Sequence, residues 1–202
     1  MRRVVEMENL SDQQLIKLVL KGEKDAFSVL VMRYQKQIYS LTYRFTNNPE
    51  DARDLAQEIF IHLYRVLPKY DGKRNFFSWM YKVASNVCCN ALRREKQQQT
   101  FPLDKVINFS PLTVPRDIHP EEYYERREMR ELVRQAVAEL PDKYRLPIIL
   151  RYTEDLSYRE IAEILDLPIT TIETRLYRGK ALLQKRLHAK GEGGPVHEVS
   201  RL

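Results

Sequence analysis

The sequence predicts an all-α protein made of two small helical domains joined by a flexible linker. Three observations carry that expectation. Hydrophobic residues make up 43% of the 202, while glycine occurs only six times, a composition that favours packed helices over barrels, repeats or disorder. Apolar residues recur at helical spacing through residues 10–96 and again through 120–188. Between them, "QQQTFPLDKVINFSPLTVPRDIHP" carries four prolines and no sustained period, which reads as a linker. The expected organisation is a first domain over 1–96, a linker over 97–120, a second domain over 121–188 and a disordered, Gly-rich tail over 189–202.

The elements follow in order. Ser11 caps a helix beginning near Asp12. Phe27, Leu30, Val31, Tyr34, Ile38 and Leu41 set the apolar stripe of a second helix, over about 25–46. Asn47-Asn48-Pro49-Glu50-Asp51 combines a capping Asn, Pro in the first turn and acids at the positive end of the helix dipole, and so starts a third helix. That helix stops before Pro68. After the turn at Asp71-Gly72, a fourth helix runs over about 76–96. In the second domain Pro120 opens a helix reaching about 139, and Pro141 with Asp142 opens another. Pro147 further in predicts either a kink or a later start.

The stretch "LSYREIAEILDLPITTIETRLYRGKALLQKRL" is the most informative. Ser157-Tyr158-Arg159-Glu160 is a capping box, with Leu156 and Ile161 at the staple positions. Ile161, Ala162, Ile164 and Leu165 form the buried face, and Asp166 is suited to a left-handed stop. Thr170-Thr171-Ile172-Glu173 repeats the capping-box pattern and predicts a second helix starting just after Thr170. Two short helices around a tight turn, with small Ala162 at the crossing, make a helix-turn-helix. Thr171, Thr174, Arg175, Arg178 and Lys180 are then free to donate to phosphates and base edges in a major groove. A plain hairpin with a solvated basic face is the simpler alternative.

Charge and motif content narrow the function. A net charge of +6 and a pI near 9.2 suit a polyanion partner. The histidines (His62, His119, His188, His197) are scattered. There is no H-E-x-x-H or C-x-x-C spacing, no Gly-rich phosphate loop and no G-x-S-x-G, so no catalytic, cofactor or metal site is expected. Adjacent Cys88 and Cys89 point about 100° apart on a helix and are poorly placed to bridge each other; packing and redox sensing remain their two readings. No apolar run approaches the roughly 20 residues of a membrane span, and the N-terminus lacks a signal-peptide core, so a cytoplasmic protein without membrane insertion is expected. On the fourth helix, Phe76, Phe77, Trp79 and Tyr81 precede Lys82, Arg93, Arg94 and Lys96. Aromatics beside cations suit unstacked single-stranded bases if exposed, and a plain core if buried.

"DAFSVLVMRYQKQIYSLTYRFTNNPEDARDLAQEIFIHLYR", "FFSWMYKVASN" and "ELPDKYRLPIILRYTEDLSYREIAEILDLPITTIETRLYRGKALLQKRL" together resemble bacterial sigma factors of the extracytoplasmic-function group. The resemblance covers residues 10–96 and 121–188. It implies a dissociable specificity subunit of RNA polymerase with no enzymatic activity of its own. The first domain would be region 2, docking on a coiled coil of the largest polymerase subunit and melting the −10 promoter element as single strand. The second would be region 4, sitting on the flap of the second-largest subunit and reading the −35 duplex. "DLAQEIF" matches the core-binding helix and assigns Asp54, Gln57, Glu58 and Phe60 to polymerase contact. "WMYKVASN" assigns Asn86 to a flipped −10 base, with Lys82, Asn90, Arg93 and Arg94 on the strand. "TTIETRLYRGK" assigns −35 reading to Thr171, Glu173, Thr174, Arg175, Tyr177 and Arg178, beside Lys180. An anti-sigma factor, often membrane-anchored in this family, is the implied regulator, and a stress response the implied setting. The sequence departs from the family at Thr170, where many members carry Gly, at Glu173, where many carry a basic residue, and at the Cys88-Cys89 pair. The alternative reading is a dimeric helix-turn-helix regulator that binds duplex DNA without polymerase.

Overall fold

A computed structural model describes residues 7–98 and 120–189. Every regular element among them is helical: α1 (Asp12–Leu20), α2 (Lys24–Thr46), α3 (Pro49–Val66), a 3-10 turn (Leu67–Lys69), α4 (Phe76–Gln98), α5 (Pro120–Ala138), α6 (Asp142–Tyr152), α7 (Tyr158–Leu165) and α8 (Ile169–Ala189). The expected linker core and tail lie outside the described residues.

Local chemistry places the ends of the helices. Ser11 and Gln14 form a reciprocal capping box at α1. Asn47 closes α2 in the left-handed region (φ 54°) and donates to the Tyr43 carbonyl at 2.8 Å. Asn48 then caps α3, accepting from the N–H groups of Glu50 (2.8 Å) and Asp51 (3.2 Å), with Pro49 in the first turn. Asn is tolerated at a positive φ because its short polar side chain bonds locally, so the two asparagines divide stop and start between them.

In the first helical group, Leu30, Ile38, Leu41, Phe45, Ile59, Leu63 and Met80 meet in one core. Asp12 ties α1 to α2 by accepting from the Tyr34 hydroxyl (2.5 Å) and pairing with Arg33. Burial and that hydrogen bond push the Tyr34 pKa well above the ordinary tyrosine value. In the second group, Leu140, Ile148, Ile149, Ile161, Ile164, Ile172, Leu176 and Leu183 form the centre. Pro147 sits buried inside α6, and the helix continues through it to Tyr152. An interior Pro removes one helical hydrogen bond, and the apolar packing of Leu146, Ile148, Ile149 and Leu150 around it offsets the loss.

The helix-turn-helix forms as its first half predicts. The Ser157–Glu160 capping box is present, and Leu156 and Ile161 are both buried. Asp166 takes φ 56°, and Leu167 donates back to the Ala162 carbonyl at 3.0 Å, the six-to-one bond of a Schellman stop. The second half differs from expectation. α8 begins at Ile169, with the Pro168 carbonyl accepting from Thr171 (2.9 Å) and Ile172 (3.2 Å). Thr170 is therefore already inside the first turn, and its capping box with Glu173 does not form. The rigid φ of Pro168 starts the helix ahead of the residue whose side chain suggested the cap.

Candidate nucleic-acid and polymerase interfaces

α8 is positioned by the row Ile172, Leu176, Gly179, Leu183 and Leu187, all buried. A Cβ at Gly179 would lie 3.0 Å from Ile148 Cγ1 and 3.3 Å from Tyr144 Cβ, so the missing side chain sets how closely α8 approaches α6. Sequence reading missed this residue, although a lone Gly three positions after Leu176 in an apolar stripe was the available signal.

At about 100° per residue, Thr171, Thr174, Arg175 and Arg178 share one arc of the outer face, and Tyr177 borders it. Thr174, Tyr177 and Arg178 are exposed, Tyr177 at 79%, while Thr171 and Arg175 are half-buried. Thr174 donates to its own helix at the Thr170 carbonyl (2.9 Å). Burial alone would raise the Tyr144 pKa, but hydrogen bonds from Arg178 and Lys143 outweigh it and hold the pKa below the ordinary value. Glu173 and Lys180 are exposed about 140° and about 160° round from Arg178, on the flank of the helix. The predicted set is thus brought together except for these two.

On α4, Lys82, Asn86 and Asn90 fall on one arc; Asn86 and Asn90 are exposed and Lys82 is half-buried. The side chains of Arg93 and Lys96 lie outside the described residues. Arg94 is exposed and pairs with Glu58 of α3 at 3.2 Å. The aromatics ahead of this arc belong to the core. Phe76 is buried against Tyr34, Tyr70 and Trp79. Tyr81 is buried with Phe77 tilted on it at 4.5 Å. Trp79 is half-buried. The open question posed by the sequence is settled toward packing, since none of the four stands free as a stacking platform. Cys88 is a buried thiol, and burial raises its pKa, which keeps it protonated and inert; Cys89 beside it is half-buried.

On α3, Asp54, Gln57 and Glu58 are exposed on one face. Phe60 lies about 120° from Asp54 and is partly buried against the core. Ile61, 47% exposed, sits in the middle of the acidic and amide face, and Tyr64, 41% exposed, borders it while its ring packs edge-on against Phe27. Sequence reading assigned the apolar anchor to Phe60; helical phase gives the outward position to Ile61.

The two helical groups share one continuous apolar cluster and are joined in addition by polar contacts. Arg145, 8% exposed, donates to the Leu140 carbonyl (3.0 Å) and across to the Phe45 carbonyl (3.2 Å) at the C-terminal end of α2, where a cation suits the helix dipole. Arg134 donates to the Tyr43 hydroxyl. Tyr81 donates to Glu154 at 2.7 Å, and Lys82 pairs with Asp166 at 3.4 Å. Burial, then the neighbouring Glu154 carboxylate, raises the Tyr81 pKa strongly.

A helical body carrying an exposed polar arc, followed by a helix-turn-helix with an outward basic face, fits the class of DNA-binding transcription factors. Family models sharpen that class: "Sigma-70 region 2" matches residues 30–98 and "Sigma-70, region 4" matches 130–183. The chain is 38% identical over 178 residues to the ECF RNA polymerase sigma factor SigW of Bacillus subtilis, covering 85% of this chain and 94% of that one. It is 34% identical over 185 residues to the ECF RNA polymerase sigma-E factor of Escherichia coli K12, covering 89% and 96%. The chain belongs to the extracytoplasmic-function family of RNA polymerase sigma factors. Two solved structures share the fold at a TM-score of 0.62: CnrH in complex with the cytosolic domain of CnrY (21% identity, 88% of this chain and 97% of that one), and RpoE in complex with the anti-sigma factor NepR from Bartonella quintana (19%, 80% and 96%). Family membership sets aside the polymerase-independent dimeric regulator. Among the described residues no helix is long and apolar enough to cross a membrane.

Proposed function

We propose that residues 1–96 act as region 2 and 121–188 as region 4 of an alternative sigma factor, joined by a linker over 97–120. No role is assigned to the tail over 189–202. α3 would dock on the coiled coil of the largest polymerase subunit through Asp54, Gln57 and Glu58 with Ile61 as apolar centre, and Phe60 would support the helix from beneath. α4 would hold the −10 strand, with Asn86 on a flipped base and Lys82, Asn90, Arg93 and Arg94 along its backbone. α8 would enter the −35 major groove tip first, with Thr171, Thr174, Arg175, Tyr177 and Arg178 toward the bases and Lys180 toward phosphate. Glu173, in the second turn, would accept from a cytosine amino group at the edge of that row. The second domain would rest on the flap of the second-largest subunit. The protein would work in the cytoplasm under a membrane-anchored anti-sigma factor, in an envelope or other stress response. All chemistry would belong to the core enzyme.

The observation that carries this reading is the pair of exposed polar rows, one on α3 and one on α8, neither of which the packing of the molecule requires. Run-off transcription with purified core polymerase on host genomic fragments tests it. Discrete new transcripts sharing −35 and −10 sequences are expected, and their absence alongside retained duplex binding would refute it. Ile61→Ala sharpens the docking assignment: a loss of polymerase affinity of about 1–2 kcal/mol at unchanged Tm is expected, whereas Phe60→Ala should lower Tm.

A further inference from the structure

Tyr144 is the third residue of α6 and lies where α8 comes close to that helix. The Cβ that Gly179 lacks would stand 3.3 Å from Tyr144 Cβ. The residue is 9% exposed, so the body of its ring belongs to the packing. Packing asks only for the ring, and Phe would fill the same volume. The hydroxyl answers to something else: it accepts hydrogen bonds from Lys143 and from Arg178, the residue just before Gly179. Lys143 also holds its Nζ 5.0 Å from the centre of the same ring. One phenol oxygen is thus the acceptor that two exposed cations share, and one of them belongs to the outward row of α8.

We propose that Tyr144 is a positioning residue for −35 recognition: its hydroxyl holds the Arg178 guanidinium at the edge of the reading row before DNA arrives. The proposal rests on the assignment of Arg178 to the −35 bases given under Proposed function. A free Arg side chain samples many rotamers, and ordering it on binding costs the equivalent of about two- to tenfold in affinity. A guanidinium anchored through one N–H has surrendered much of that freedom already. It carries more N–H donors than one hydroxyl can take, so the pair that would face guanine O6 and N7 stays available. Gly179 completes the arrangement. With no side chain there, Tyr144 lies close against α8, and its hydroxyl is within reach of the neighbouring Arg178.

The test uses core polymerase reconstituted with the full chain, and a fluorescein-labelled promoter duplex carrying the −35 and −10 sequences that the run-off transcripts share. Tyr144→Phe keeps the ring in place and removes the oxygen. It should weaken duplex binding about fivefold at unchanged Tm. In an Arg178→Ala background the same substitution should change nothing further, because the group it positions is gone. A role in packing alone would not show that dependence. Single base-pair changes across the −35 element give a second readout. Tyr144→Phe should relax discrimination at the base pair to which Arg178→Ala becomes indifferent, and at no other. Unchanged affinity in Tyr144→Phe, or a loss that persists in the Arg178→Ala background, would overturn the proposal. If Arg178→Ala itself leaves binding unchanged, the −35 assignment falls first and the role of Tyr144 falls with it.

Discussion

The two helices assigned to DNA are held in opposite ways. α4 is a structural member first: Phe76, Met80, Tyr81, Ala84, Val87 and Cys88 are buried along it, and its polar arc is the strip left over. α8 buries one row, Ile172 to Leu187, and exposes an outer face that the fold does not use. Recognition and stability should therefore separate cleanly on α8 and be entangled on α4. A variant of α4 that loses promoter activity says little until its stability is known, whereas an outward variant of α8 reports on binding directly.

The largest effect should come from Phe76→Ala. Phe76 is 4% exposed and lies among Tyr34, Tyr70 and Trp79. Truncating a core Phe costs about 3–5 kcal/mol, so urea unfolding should show most of the stability of the first domain lost. A stable Phe76→Ala protein with weakened strand binding would reverse the comparison and return the aromatics to the nucleic-acid surface.

Gly179→Val should follow, because it attacks the close approach of α8 to α6. The new Cβ would press on Ile148 at 3.0 Å, and overpacking of this kind costs about 1–3 kcal/mol. Promoter binding should fall together with Tm. If binding alone fell, Gly179 would have to be part of the reading surface, which its burial contradicts.

Paired substitutions on the polar rows sharpen the contrast further. Arg178→Ala should lose about 1–3 kcal/mol of −35 duplex affinity at unchanged Tm. Asn86→Ala should slow open-complex formation by a similar free energy while core-polymerase affinity stays intact. Equal loss of both activities in Asn86→Ala would mean that folding had been mistaken for recognition.

What was legible in the sequence divides along the same line. Local signals came through well: Asn48 with Pro49 starts α3, Ser157 with Glu160 starts α7, and Asp166 takes the left-handed stop. These are encoded within a few neighbouring residues. Features set by tertiary contact leave no such local signal. Gly179 has meaning only through Ile148 and Tyr144 on another helix. Phe60 and Ile61 are neighbours in sequence, and only the position of the core decides which one faces out. The Tyr81–Glu154 bond spans 73 positions and leaves no local trace. The outward row of α8 was legible because helical phase alone sets which residues face away from the buried stripe.

The smallest effect compares two capping boxes that look alike in sequence. At Ser157 both bonds form: the backbone N–H donates to Glu160 at 2.8 Å, and Ser157 Oγ accepts from the Glu160 N–H at 3.3 Å. At Thr170 the helix has already begun at Ile169. Ser157→Ala should therefore cost about 1 kcal/mol and Thr170→Ala close to nothing. The pH dependence separates them too. Hydrogen bonds first from the Ser157 side chain and then from its backbone lower the Glu160 pKa. A carboxyl whose folded-state pKa is depressed contributes stability that is present above its unfolded pKa, about 4.3, and is lost as pH falls through the folded value. The site is exposed, so solvent screening keeps that contribution to a few tenths of a kcal/mol. The Tm gap between wild type and Ser157→Ala should narrow below about pH 4, because the wild type loses the carboxylate bonds that the variant already lacks in part. Thr170→Ala should track the wild type across the whole range. A gap at Thr170 as wide as the one at Ser157 would mean that α8 starts at its sequence-predicted cap, two residues later than Pro168 now dictates.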